Sequence, residues 1–593
     1  MKNRPGRASI PVAARCGEAL SRPAVIWSAL GVLTAINLYT WLRYFQPAPF
    51  TDMVDLEWFF TRWSLAEDGL APLVTYQDNE HRAFLPVLLQ AFDHKVLAST
   101  GLFLILVHVV CFAVLAAGFA RHAALAFAGN PRVAHVAAGA MALVMLWSAH
   151  WNNIIRTKQT HTCLSLLFVT LAFWLAAAYD ARRRSSSGAS HDAGAIAVRG
   201  RRGWAMLAGM AAALWAAVWS FSAGLAAAPV LAAFAFLRGW DWPARLFLSG
   251  ASLAALAAWG WASAAGATDA GAPSPGAGLF DYVHYGVNLV SGLFHYALAG
   301  DEIVAPLVGA LGLALSVPLA WFGLRTHARS RTPARSLAGL TREERQAASF
   351  FTLALLWSLV CALAITTSRA EFGAEQAFVS RYLPFGVIFA AATVMLAAIF
   401  RSLLPQWTRR AVFGVAAFYL IAAALVSPRG WLVAAEHNRQ IALGGLAAAL
   451  EIDDAQYALY PDFAGGRLLD LMDHYRAREA SFFRRDWGRW LGAPVGDAGG
   501  PRCARVSGQG ALASLGDGAY RAAARIEGAA PLWIAIVDGD GRVAGLVRAG
   551  ERFRTAPAPG LDETATHAGF ARLGDAAAAR FVAMLPGGRR CVL

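Results

Sequence analysis

Apolar runs of about twenty residues recur along most of the chain, separated by short polar stretches. A helix needs roughly 20 such residues to cross about 30 Å of hydrocarbon. Reading at that length gives eleven candidate spans, at 24–44, 97–120, 133–150, 162–179, 204–220, 222–237, 244–265, 303–324, 348–366, 383–401 and 411–427. The fifth and sixth are joined by almost no loop, because only Trp219-Ser220-Phe221-Ser222-Ala223-Gly224 separates them. Beyond residue 427 the hydropathy falls. Trp431–Leu450 and Gly466–Arg478 keep helix-like apolar spacing, whereas Pro531–Val537 and Arg542–Val547 read as strands flanking Asp538-Gly539-Asp540-Gly541, a hairpin signal. The pattern predicts a mainly α, polytopic membrane protein with a soluble, β-rich α+β module at its C-terminal end. Its parts are a cytoplasmic tail over 1–23, a transmembrane domain over 24–427 with an outward loop at 45–96, and an extracytoplasmic domain over 428–593.

Composition agrees with that class: 57% of residues are hydrophobic and 15% charged. The formal charge of +14 would suit a nucleic-acid partner, but the basic residues sit between spans, and no nucleic-acid partner is expected. Lysine occurs only at 2, 95 and 158, so arginine sets the orientation. Arg4, Arg7, Arg15 and Arg22 precede the first span, Arg121 and Arg132 follow the second, and Arg182–Arg184 follow the fourth. Arg238 and Arg245, Arg325 to Arg345, and Arg401 to Arg410 fall on the same side when the alternation is continued, which makes that side the cytoplasm. The apolar run from Ala24 is too long for a cleavable signal, so it reads as the first anchor.

No Gly-rich phosphate loop ending in Lys-Ser/Thr, no His-Glu-x-x-His and no close cysteine pair of zinc type occurs, which argues against a nucleotide-driven enzyme or a zinc protease. Cys503 and Cys591 are the only cysteines of the outward module, where oxidation is permitted, and a disulfide between them is expected. Candidate chemistry gathers instead in the outward loop. It holds Asp52, Asp55, Glu57, Glu67, Asp68, Asp78, Glu80, His81, Arg82, Asp93 and His94. Two further outward segments carry basic residues at the membrane surface. One is the amide-rich turn Trp151–His161, with Arg156, Lys158 and Gln159; the other is Thr367–Tyr382, with Arg369, Arg381 and Tyr382. A guanidinium at such an interface can hold two phosphate oxygens through paired hydrogen bonds, although snorkelling and local ion pairs give the same residue pattern.

Thr51-Asp52 soon after the first span, Asn79-Glu80-His81-Arg82 before the second, the Trp151–Gln159 turn and the Arg369…Ser380-Arg381-Tyr382 loop together resemble bacterial integral-membrane glycosyltransferases of the GT-C superfamily. The resemblance covers about residues 24–400 and rests on short motifs. It implies a GT-C-like fold in the bacterial cytoplasmic membrane and transfer of a sugar from a polyprenyl-phosphate-linked donor to a cell-envelope glycan or lipid acceptor outside it. Membrane lipids would surround the protein. Carried over by position, Asp52 would be the general base, with Asp55 and Glu80 as the other carboxylates. His81, Arg82, Arg156, Lys158, Gln159, Arg369, Arg381 and Tyr382 would bind substrate. Some members hold a divalent metal ion with an adjacent acidic pair. Here Met53-Val54 separate Asp52 from Asp55, so metal use stays open. Two other readings also stay open: a transporter or flippase for a lipid-linked saccharide, and a scaffold that presents the outer module.

Overall fold

The computed structural model describes residues 22–50, 52–66, 69–78, 81–186, 200–265, 278–298, 302–325, 340–454, 459, 466–484, 486–495, 506–528, 531–550, 565–584 and 590–593. In chain order its main helices are α1 (Pro23–Tyr44), α2 (Asp52–Leu65), α3 (Phe84–Val96), α4 (Leu102–Ala126), α5 (Pro131–Met145) and α6 (Thr160–Ser186). They continue with α7 (Arg201–Val218), α8 (Ala223–Leu237), α9 (Trp242–Ala265), α10 (Leu279–Val290), α11 (Gly292–Ala297) and α12 (Val304–Arg325). The last are α13 (Arg342–Arg369), α14 (Leu383–Ile399), α15 (Gln406–Ala449) and α16 (Arg467–Ala477). Each of the eleven apolar runs overlaps one of these helices. Among the described residues eight helices are long and apolar enough to cross a membrane, and α8 is apolar but shorter. The tight link between α7 and α8 works because residue 224 is glycine, whose built Cβ would lie 2.3 Å from the carbonyl group of Ala217.

The chain divides into two compact units. The first comprises Met1–Trp41, Leu73–Leu88 and Ile105–Leu432, and the second Leu42–Pro72, Leu89–Leu104 and Val433–Leu593. The sequence division had placed 45–96 with the membrane part. In the structure both ends of that loop group with the C-terminal residues instead. Residues 431–450, read as the opening helix of a soluble domain, continue α15, which runs 44 residues without a break.

In the first unit, polar groups join apolar helices. Asn37 donates to the Leu146 carbonyl at 2.8 Å and accepts from Trp431 Nε1 at 2.6 Å, and Trp147 Nε1 donates to the Ala423 carbonyl at 2.9 Å. A buried charge pair lies just past the apolar runs of α6 and α8. Arg238, expected in an inner linker, is fully buried and meets Asp180 at 2.6 Å. A buried ion pair is sustained by close geometry and by further hydrogen bonds to its partners. Here Asp180 also accepts from Ser349 Oγ at 2.7 Å and Trp240 Nε1 at 3.1 Å, while Arg238 donates to the Gly323 carbonyl at 2.8 Å.

In the second unit, seven antiparallel strands follow: β3 (Val506–Gly516), β4 (Ala519–Gly528), β5 (Trp533–Val537), β6 (Val543–Ala549), β7 (His567–Arg572), β8 (Arg580–Met584) and β9 (Arg590–Val592). A separate two-stranded pair in the first unit joins β1 (Gln77–Asp78) to β2 (His81–Arg82). The larger sheet has the order β3-β4-β7-β6-β5-β8-β9. The predicted hairpin is β5–β6, closed by an Asp538 carboxylate that accepts the Asp540 and Arg542 amides at 3.0 and 2.8 Å, with Gly541 at φ +77°. Both faces of the sheet are covered. Ala535, Val537, Leu546 and Phe570 join a core with residues of α2, α15 and α16, while Ile534, Ile536, Val547 and Ala571 form a second core on the other face. The run Trp533–Val537 is apolar throughout for that reason. Cys591, on β9, is disulfide-bonded, and Cys503, the partner expected for it, lies outside the described residues.

Candidate functional site

In the second unit the acidic loop organises around Glu57 on α2. Its Oε2 accepts hydrogen bonds from His94 Nδ1 at 2.9 Å, Ser99 Oγ at 3.0 Å and Tyr475 Oη at 2.7 Å. Burial by itself would raise the Glu57 pKa, but the hydrogen bond and charge of His94, with the Tyr475 and Ser99 hydroxyls, outweigh it and hold the carboxyl below its ordinary value. The same arrangement pushes the Tyr475 phenol up, through burial first and the Glu57 charge second. Ser99 comes within reach because the chain turns sharply after α3, with Ala98 and Ser99 at φ +56° and +53°.

Serine, histidine and glutamate side by side suggest a nucleophilic triad, and the geometry rules it out. A relay needs the hydroxyl on one imidazole nitrogen and the carboxylate on the other. Here Ser99 Oγ lies 3.0 Å from Nδ1, the same nitrogen that meets Glu57. The cluster is a fastening point. It fixes α2, whose first turn presents Asp52 and Asp55. Asp52 is exposed, whereas Asp55 pairs with Arg467 at 2.8 Å. Among the described residues no group of three His, Cys, Asp or Glu side chains is placed to hold a metal ion.

The first unit brings together two of the segments singled out in the sequence. Asn152 Nδ2 donates to Ser380 Oγ, and Asn153 Nδ2 donates to the Ser380 carbonyl at 2.8 Å. The Trp151–His161 turn is thus joined to the residue before Arg381. Nearby, Asn288 Nδ2 of α10 donates to the Ala374 carbonyl at 3.1 Å, and Tyr296 Oη of α11 donates to the Phe378 carbonyl at 2.8 Å. Arg381 lies 5.0 Å above the Tyr382 ring, and buried Tyr285 sits within electrostatic reach of Tyr382, Arg381 and Arg369. Arg369 lies 5.6 Å above the Phe372 ring. Gln159 is buried and accepts from Thr162 Oγ1 at 3.2 Å, while Arg156 and Lys158 are half-buried on the same turn.

Down α14 from this polar group lies a cavity of about 200 Å³. Its wall is apolar except for Thr393 and Tyr419, and it draws on α5, α11, α12, α14 and α15, with Phe294, Leu311, Phe389 and Val415 among its lining. Leu311 and Val415 are exposed, so the site opens at the surface of the helices, and a lining of this kind suits hydrocarbon better than water.

Of the remaining candidates, His81 and Arg82 form a two-residue strand in the first unit, and Glu80 lies outside the described residues. Asp52 belongs to the second unit and Arg381 to the first. Sequence reasoning missed the Glu57–His94–Ser99–Tyr475 cluster as a unit, because Tyr475 lies 418 residues from Glu57. It also passed over Asn288 and Tyr285. Only the amide pair Asn152-Asn153, inside an otherwise apolar stretch, offered a local signal. In comparisons with known proteins, the chain matches no family model and no curated protein.

Proposed function

We propose that the protein is a membrane glycosyltransferase that moves a sugar from a polyprenyl-phosphate-linked donor to a cell-envelope glycan or lipid acceptor. The observation that carries this reading is the make-up of α14. At its N-terminal end stand Arg381 and Tyr382 with a buried polar surround, and roughly 12–18 Å further along, at 1.5 Å per residue, its Phe389–Val394 stretch lines the apolar cavity. A ligand that suits both has a charged head and a hydrocarbon tail.

The chemistry assigned to these residues is as follows. The acceptor hydroxyl attacks the anomeric carbon as a carboxylate takes its proton, and the bond to the lipid phosphate breaks with the electron pair leaving on the phosphate oxygen. Asp52 is the assigned base, carried over by position from the resemblance. Arg381 neutralises the departing phosphate, and its planar fork suits two oxygens better than an ammonium does.

The test is transfer of labelled sugar from polyprenyl-phosphate donors in membranes carrying the full chain. Asp52→Asn abolishes turnover and leaves donor binding intact, while Asp55→Asn loses far less. Arg381→Ala weakens donor binding by on the order of 2–5 kcal/mol, and Arg381→Lys recovers part of it. Normal transfer by Asp52→Asn would remove it as base. Normal transfer by Asp52→Asn, Asp55→Asn and Arg381→Ala alike would end the glycosyltransferase reading and leave transport of a lipid-linked saccharide as the better account.

A further inference from the structure

The polar surround of Arg381 holds more than a phosphate requires. Asn153 donates to the Ser380 carbonyl and Asn288 to the Ala374 carbonyl. Because a carbonyl only accepts, these two bonds fix which end of each carboxamide is nitrogen. The other end is then a carbonyl oxygen in both cases. Asn153 Oδ1, Asn288 Oδ1 and Gln376 Oε1 are all buried, and none has a hydrogen-bond partner among the described residues. Asn153 is 0% and Asn288 3% exposed. Arg381 Nε, a donor, is likewise buried and unanswered among the described residues. All four belong to the Ala374–Arg381 segment or to residues hydrogen-bonded to it.

Buried polar atoms left unanswered are expensive, and a native protein answers them with a ligand or ordered water. The sign of the demand identifies the ligand. Asn152, bonded to Ser380 through its Nδ2, leaves its Oδ1 buried and unanswered as well, and four acceptors with one donor cannot be met by a phosphate, which near neutral pH offers almost only acceptors and would face the amide oxygens lone pair to lone pair. A polyhydroxylated group meets both, because each hydroxyl donates once and accepts twice. We infer that Asn153, Asn288 and Gln376 recognise the glycosyl group of the donor, so that the site distinguishes a sugar-bearing lipid phosphate from the same lipid phosphate without sugar. This rests on the donor class proposed above and adds to it a specificity. Discarding the spent carrier follows from the same contacts, since the bare lipid phosphate leaves those oxygens unanswered.

The experiment measures equilibrium binding of the full chain in lipid nanodiscs to polyprenyl phosphate, and to polyprenyl phosphates carrying a hexose, a pentose or an acetamido sugar. The expected result is that the best glycosylated probe binds at least about tenfold tighter than the bare one. Asn153→Leu and Asn288→Leu each bring the ratio of glycosylated to bare binding to within about twofold of one, whatever they do to the two affinities separately, with circular dichroism reporting that the fold is intact. Equal binding of bare and glycosylated probes to the unaltered protein would overturn the inference and leave the lipid-phosphate reading standing. So would variants that lose both probes in proportion, which marks a structural role. If no probe binds above the nanodisc background, the donor class itself fails and the inference falls with it.

Discussion

Asp93 carries a cost that pH can relieve. It is buried, its Oδ2 accepts the Gly101 amide at 2.9 Å, and its Oδ1 has no partner among the described residues. Burial, only partly offset by that amide and reinforced by the Glu57 charge, pushes its pKa up to about 6 from 3.8. A carboxyl raised in the folded state contributes stability that is full below its unfolded pKa and is lost as pH rises through the folded one. Glu57 has the opposite sign: its depressed pKa gives stability above about pH 4.5, lost as pH falls through the folded value. Between pH 7 and pH 5, then, Glu57 stays charged while Asp93 takes up its proton. The expected outcome is an Asp93 contribution about 1–1.5 kcal/mol more favourable at pH 5 than at pH 7, read as the difference in unfolding between the unaltered protein and Asp93→Asn, because burial lowers the pKa of His474 and His567 and these two pull the other way over the same interval. Asp93→Asn, which keeps an oxygen for Gly101, lacks that contribution. The same pH dependence in the unaltered protein and in Asp93→Asn would refute the assignment.

At the scale of elements, the Asp180–Arg238 pair fastens α6, the end of α8, α12 and α13. Removing one partner leaves the other buried and uncompensated, at about 3–5 kcal/mol. Asp180→Leu and Arg238→Met alone should each lower the unfolding midpoint in detergent micelles by that much, and the double variant should recover most of the loss. If the double variant is as unstable as the worse single one, the pair is not the unit of stability. Helices were the legible part of this chain, because a run of twenty apolar residues states its own length and type. The partner of Arg238 was not legible in the same way. Hydropathy places a charge at the end of a run but carries no information on a carboxylate 58 residues away.

At the scale of the molecule, the sequence marked the Trp151–His161 and Thr367–Tyr382 segments separately by their outward position, and hydrogen bonds from Asn152 and Asn153 to Ser380 now connect them across more than two hundred residues. Grouping of Leu42–Pro72 and Leu89–Leu104 with the C-terminal residues was illegible, since it depends on Glu57, His94 and Tyr475 meeting, and nothing local announces that meeting. The arginine distribution still makes a claim of its own: an inside N-terminus and an outside C-terminal region. A phosphatase that works only outside the cytoplasm, fused after Leu593, should be active, and a cytoplasm-only reporter at the same place silent. The reverse result would overturn the orientation and the outer-face chemistry with it.

Strand order sets a schedule for making the sheet. Two hairpins, β3–β4 and β5–β6, pair close neighbours in sequence and form early, yet they do not touch each other along the row. The strand that joins them, β7, is made only after both, and it must slot between β4 and β6 with its register matched on two sides at once. Until it arrives, each hairpin shows a bare row of amides and carbonyls to whatever chain is nearby. The interval is longest for a slowly emerging polypeptide, and it leaves the edges of β4 and β6 open to mispairing until β7 is made.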